Sequence, residues 1–148
     1  MQDNVHCSAL TVRQTLAFAA RLRMPRGTPQ AQRDARVAAL VKTLRLGGVL
    51  DSPVGNEDSR GVSGGELKRL SIAVEILNMP ALILLDEPTS GLDSTTALEV
   101  MRAVRGLADR GRTVVCTVHQ PSPEMYFLFH KALLMAGGRG VYFGRAEG

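Results

Sequence analysis

Apolar residues follow two rhythms along this chain, helical spacing first and short unbroken runs later. Thr11 is placed to cap a helix running to Met24, which Pro25 and Gly27 end. A second helix is expected to begin at Thr28 with Pro29 at its first position. Its Val37, Leu40, Val41 and Leu44 fall at i, i+3, i+4 and i+7, and Gly47-Gly48 stops it. Residues 48–62 read as a loop rich in Gly, Ser, Asp and Asn. Ser63-Gly64-Gly65-Glu66 then has the S-x-x-E spacing of a capping box. It opens a third helix with Leu67, Leu70, Val74 and Leu77 on one face, ended by Pro80.

The rhythm changes at Ala81-Leu82-Ile83-Leu84-Leu85, a continuous apolar run of the kind that suits a strand buried on both faces of a parallel sheet. A helix is expected from Ser94 to Arg110, and a second buried strand over residues 113–118. Residues 131–136 and 141–143 flank Gly137-Gly138-Arg139-Gly140 and predict a hairpin. Helices followed by strand–helix–strand make an α/β fold with a mostly parallel sheet and a helical piece ahead of it.

Composition narrows this picture without redirecting it. With 148 residues, 45% hydrophobic and 22% charged, the chain has the makings of one globular domain rather than a disordered one. No apolar run approaches the roughly 18 residues that cross a bilayer, and the first residues lack the pattern of a signal peptide. Cys7 and Cys116 are too few for a disulfide scaffold and too distant in sequence for a zinc knuckle. The net charge of +4 is segmental. Residues 10–46 carry eight Lys/Arg against Asp34 alone, and residues 47–99 carry nine acids against Arg60, Lys68 and Arg69. With aromatics at 4%, the basic stretch reads as a solvated helical face, and no specific nucleic-acid binding is expected.

Four short segments could carry chemistry. Asp86 and Glu87 stand at the C-terminal tip of the first predicted strand, where α/β folds place ligands. One carboxylate there can hold a magnesium ion through water, and its neighbour can polarise an attacking water toward phosphorus. An acidic turn that merely favours the next helix's N-terminus reads equally well. Ser63-Gly64-Gly65-Glu66 offers backbone N–H groups to an anion, or is an ordinary cap. Ser90-Gly91-Leu92-Asp93 is a tight turn feeding a helix. His119 follows the second strand, where its ring could meet a terminal phosphate or be structural. Gln2 could offer an amide oxygen to a metal, though nothing local demands it.

In their order and spacing, these segments resemble the nucleotide-binding domain of ABC transporters. They look like its signature motif (Ser63, Gly64, Gly65, Glu66), Walker B (Leu84–Pro88), D-loop (Ser90, Gly91, Leu92, Asp93) and switch histidine (His119). Val62–Ile76, Leu84–Ser94 and Val115–Ser122 resemble most the G subfamily of half-transporters, whose members read close to VSGGERKR-SIA, LLDEPTSGLDS and CTVHQPS. Gln2-Asp3, followed by Leu10-Thr11-Val12-Arg13, is similar to that subfamily's Q-loop and the start of its helical subdomain. Leu67 stands where the subfamily often has Arg, and Gln14 where Glu is usual.

The resemblance implies a P-loop ATPase core with a helical subdomain over about residues 5–79 and the Walker B, D-loop and switch-histidine core over 80–148. It implies ATP and Mg2+ as cofactors, with Glu87 as the catalytic base, Asp86 and Gln2 on the magnesium side through water, and His119 at the γ-phosphate. Ser63, Gly64, Gly65 and Glu66 would face ATP held by a second nucleotide-binding domain, and Asp93 would help join the halves. The implied partners are that second domain, in a homo- or heterodimer, and a transmembrane domain moving lipid-like or hydrophobic substrates. The implied location is the cytosolic face of a membrane.

No G-x-x-x-x-G-K-[S/T] occurs here, because none of Lys42, Lys68 and Lys131 follows a glycine. The expectation is a chain that starts at the Q-loop, leaves the strand over 113–118 as an apolar edge, and does not hydrolyse ATP alone. The alternative is a stand-alone, non-catalytic module that pairs with and regulates a complete nucleotide-binding domain.

Overall fold

A computed structural model describes residues 8–55 and 61–146. Helix α1 (Val12–Arg23) starts as expected at Thr11, whose side chain accepts from the Gln14 amide. The Gln14 side chain returns a bond to the Thr11 amide at 2.9 Å, so Gln14 completes a capping box as Glu would. Helix α2 (Gln30–Thr43) starts one residue later than expected: Pro29 is the cap and offers no side-chain bond. Thr28 does not cap because its hydroxyl is turned back onto the Pro25 carbonyl at 2.7 Å. The helix also stops before the glycine pair, with Arg45 in the left-handed region (φ 54°) and a 3₁₀ turn over Gly47–Val49.

Helix α3 (Gly64–Glu75) is capped by Ser63. Strand β1 (Leu82–Leu85) leads to α4 (Ser94–Ala108), and β2 (Thr113–Cys116) pairs with β1 in parallel, Leu85 opposite Cys116. A short helix α5 (Pro123–Tyr126), which the apolar pattern does not announce, is capped by Ser122. Strands β3 (Lys131–Ala136) and β4 (Arg139–Arg145) form the expected hairpin, antiparallel and bulged at Leu134/Met135. Gly137 and Gly138 both have positive φ (54° and 74°), the backbone a two-residue hairpin turn requires.

One core joins these pieces. Leu16, Leu44, Leu70 and Leu77 are fully buried among α1–α3, and Ala97, Val100, Met101, Val104 and Leu107 form the inward stripe of α4. Each of these Leu, Val and Met side chains contributes about 1.5–3 kcal/mol by burial. Among the described residues no helix is long and apolar enough to cross a membrane.

One expectation is corrected. The strands are not buried on both faces: Ile83 is in the core, but Leu82, Leu84 and Val115 point outward and are more than half exposed. Helices cover one side of this two-stranded sheet and nothing among the described residues covers the other. The basic segment is largely solvated, as expected, and two of its exposed arginines are paired. Arg13 reaches Asp51 through two bonds of 2.8 and 3.1 Å, and Arg23 reaches Glu75 at 2.7 and 2.8 Å. Acids from the later segment thus compensate two of its arginines.

Candidate functional site

Parallel pairing puts the C-terminal ends of β1 and β2 side by side, so the residues after each strand share one end of the sheet. Asp86 and Glu87 follow β1; Thr117 and His119 follow β2. Thr117 makes the join. Its amide donates to the Leu85 carbonyl at 3.0 Å, its hydroxyl donates to Asp86 Oδ1 at 2.6 Å, and the same oxygen accepts the Glu87 amide at 2.9 Å. Glu87 and Gln120 both adopt the left-handed backbone region, φ 43° and 49°. For non-glycine residues such a conformation costs of order 1–3 kcal/mol and clusters at functional positions. Among the described residues the Glu87 carboxylate and the His119 ring make no hydrogen bond and both are exposed. They are free to face a ligand.

From Glu87 the chain winds through two turns, Ser90 N to Glu87 O at 3.0 Å and Leu92 N to Thr89 O at 3.3 Å. Gly91 takes the φ of 76° between them, which favours glycine. The winding ends at Asp93, the N-cap of α4, whose Oδ1 accepts from the Thr95 and Thr96 amides at 3.1 Å each. Bonds from Thr96, side chain first and then backbone, hold the Asp93 carboxyl below the usual carboxylate range, with the Thr95 amide adding to them.

The first turn of α3 lies against this segment. A Cβ on Gly64 would meet Leu92 Cδ2 at 3.4 Å, and one on Gly65 would run into Thr96 Cγ2. The 63–66 and 90–93 segments therefore adjoin. The Ser63 capping box is closed in both directions: its amide and hydroxyl donate to Glu66 Oε2 at 2.8 and 2.7 Å, and its Oγ accepts the Glu66 amide at 3.4 Å. In this arrangement Glu66 serves the cap. One turn further, Arg69 is buried, with Nη1 3.6 Å from Glu99 Oε2 of α4 and an Nε without a partner.

A groove of about 850 Å³ runs between α3 and β1 and reaches Asp86 and Thr117, with Lys68, Leu84 and Val115 also on its wall. Asp86 is a hard oxygen donor with Oδ1 engaged by Thr117 and Oδ2 open. No group of three or more His, Cys, Asp or Glu that could hold a metal occurs among the described residues. That donor set fits a magnesium ion held by one carboxylate, waters and phosphate oxygens, not a dedicated all-protein cage. Gln2 lies outside the described residues.

Sequence reasoning did not single out Thr117 or Arg69. A hydroxyl two residues before the histidine gives no signal until strand register is known. A buried arginine looks in sequence like one more polar position of a helix. Cys116, the last residue of β2, is half-buried and burial pushes its thiol up, as befits a packing residue.

Comparison with known proteins converges on one family. The sequence profile described as "ABC transporter" matches residues 1–90. ABC transporter G family member 26 of Arabidopsis thaliana is 48% identical over 146 residues, covering 99% of this chain and 21% of that protein. ATP-binding cassette sub-family G member 8 of Homo sapiens is 47% identical, again over 99% of this chain and 22% of its own length. The chain thus spans about a fifth of the length of these curated relatives. Among solved structures, cbiO1 from Clostridium perfringens, part of the ABC transporter complex cbiONQ, superposes with a TM-score of 0.79 at 26% identity, covering 98% of this chain and 54% of that one. The mixed α/β fold with its parallel strand pair is the ABC ATPase fold, and the profile match over residues 1–90, more than half of the sequence, establishes that this chain belongs to the ABC transporter family, with G-family members among its relatives.

Proposed function

We propose that this chain is the signature-to-switch portion of an ATP-hydrolysing domain that powers a G-type transporter of lipid-like or hydrophobic substrates. The carrying observation is the sheet end where Asp86, Glu87 and Thr117 are tied together while the Glu87 carboxylate stays unengaged. Magnesium-bound ATP would supply the phosphoryl group and its leaving diphosphate. Glu87 would hold the attacking water in line and take its proton, Asp86 would sit on the magnesium side, and His119 would hydrogen-bond the terminal phosphate. Catalysis of this kind is positioning plus electrostatic stabilisation.

The second surface, Ser63–Glu66 with Ser90–Asp93, would close over nucleotide held by a second nucleotide-binding domain. Gly64, exposed at the α3 N-terminus, would offer its backbone N–H to phosphate oxygens. Because the 148 residues carry no phosphate-cradling G-x-x-x-x-G-K-[S/T] segment, this stretch alone would bind Mg-ATP weakly and not turn it over. Cytosolic placement and contact with a transmembrane domain follow from the same reading.

Steady-state ATP hydrolysis by the 148-residue chain and by the full transporter polypeptide tests it. No turnover is expected from the former, and turnover that Glu87→Gln lowers at least about 100-fold from the latter, the scale of losing a positioned base. Hydrolysis by the short chain that Glu87→Gln abolishes would overturn the claim of dependence. Full activity of the Glu87→Gln transporter would overturn the assignment of the base.

A further inference from the structure

We propose that Thr117 is a positioning residue for phosphoryl transfer, fixing the two carboxylate-bearing residues to the strand that carries His119. The inference rests on the catalytic reading above and extends it to a side chain that this reading gives no role.

Thr117 is bonded to three consecutive residues of the neighbouring strand end: Leu85 through its amide, Asp86 through its donated hydroxyl proton, and Glu87 through its accepting oxygen. A hydroxyl has one proton and two lone pairs. Donation to Asp86 therefore orients the oxygen to receive the Glu87 amide, and the two bonds support each other. The Asp86 bond is short, 2.6 Å, as expected when the acceptor is ionised.

What the amide bond restrains is a residue with a specific need for restraint. Glu87 sits at φ 43°, a conformation that persists in a non-glycine residue only when its surroundings enforce it. The direction of its Cα–Cβ bond, and so the reach of its carboxylate, follows from that backbone. His119 is two residues along from Thr117, and Gln120 immediately after it has the second left-handed backbone, φ 49°. One hydroxyl thus links the base, the magnesium-side carboxylate and the histidine loop into a single body. A displacement of the histidine loop would carry Glu87 with it.

Two substitutions separate the hydroxyl from the bulk of the side chain. Thr117→Val keeps the shape and the strand preference and removes both bonds; Thr117→Ser keeps the hydroxyl and removes the methyl. In the 148-residue chain, amide hydrogen exchange at Glu87 is expected to accelerate about tenfold or more in Thr117→Val and to stay within about threefold of the parent in Thr117→Ser, the bond being local and solvent-accessible. In the full transporter polypeptide, Thr117→Val is expected to lower kcat about tenfold with KM for ATP within about twofold, the pattern of an interaction that matters in the transition state. Thr117→Ser should restore most of that kcat.

Unchanged Glu87 exchange in Thr117→Val would show that the hydroxyl restrains nothing and would overturn the proposal. Accelerated exchange with unaltered kcat would overturn it as a positioning role. Equal loss in the Ser and Val variants would assign the effect to the methyl and overturn it as well. Failure of the catalytic reading has a different signature: Glu87→Gln would then hydrolyse ATP normally while Thr117→Val still sped Glu87 exchange.

Discussion

The helices and the strands of this chain use the same kinds of apolar side chain to opposite effect. In α1–α4 most of those side chains close on one another: Leu16, Leu44, Leu70 and Leu77 have no exposed surface, and only Phe18 and Leu22 among the large apolar residues described there are exposed. In the strands they face outward, with Leu84 70%, Leu133 56% and Phe143 71% exposed. Four helices can each turn one stripe toward a common axis and complete a core. A two-stranded sheet has two faces and two edges, and the helices cover only the face bearing Ile83. Parallel strands are normally layered on both sides, so the apolar residues of β1 and β2 specify surfaces that need covering without naming what covers them.

The largest contrast should come from deleting an apolar side chain in each region. Leu70→Ala removes a fully buried side chain from the helical core and is expected to cost about 2–5 kcal/mol of unfolding free energy. Leu84→Ser, on the outward face of β1, should stay within about 0.5 kcal/mol of the parent and raise solubility by breaking an apolar patch. Urea titrations of the 148-residue chain check both. Equal losses at the two positions would mean that the outward sheet face is covered in solution, and the division between regions would fail.

A sharper contrast lies between adjacent glycines. Gly64 and Gly65 open the same helix, yet a methyl on Gly64 meets Leu92 at an ordinary 3.4 Å while one on Gly65 collides with the Thr96 side chain. Gly64→Ala should therefore leave stability within about 0.5 kcal/mol. Gly65→Ala should cost about 1–3 kcal/mol through overpacking between α3 and α4. Thr96→Ser, which removes the colliding Cγ2, should recover most of that loss in the double variant. Additive losses in the cycle would show that the two helices do not meet as described.

What could be read in advance follows the same division. Caps and turns are local, and Thr11, Ser63, Gly137 and Gly138 announced themselves because the groups they satisfy lie within three residues. Helical periodicity then placed Leu40 and Leu44 of the second helix, and Leu70 and Leu77 of the third, in the core. The order and spacing of Ser63–Glu66, Asp86–Glu87, Ser90–Asp93 and His119 carried the resemblance to a family that the comparisons bear out. The contacts that organise the site are long-range. Thr117 lies 31 residues from Asp86, and Arg69 meets Glu99 only because α3 and α4 pack side by side. Neither pairing has a local signature. Burial of the strands was over-read for the related reason that an unbroken apolar run reports preference for cover, not its presence.

The smallest effect should come from the cap of α4, a local device like those of the helical region although it borders the sheet end. Its neighbours hold the Asp93 carboxyl below its ordinary value of 3.8, so the charged form is favoured in the folded chain. The sign then follows: its contribution is present above the unfolded carboxyl's titration and is lost as pH falls through the folded one, below 3.8. Asn also caps well, so Asp93→Asn removes the charge while keeping an acceptor for the Thr95 and Thr96 amides. Melting temperatures of parent and variant should differ by a small constant amount from neutral pH down to about pH 5, where an ordinary aspartate remains ionised, and converge in the acid range below. Since the cap needs nothing beyond residues 93–96, the difference should not change when the outward face of β1 is altered by Leu84→Ser. A difference that changed with Leu84→Ser would tie this local cap to the sheet face and break the division between the two regions.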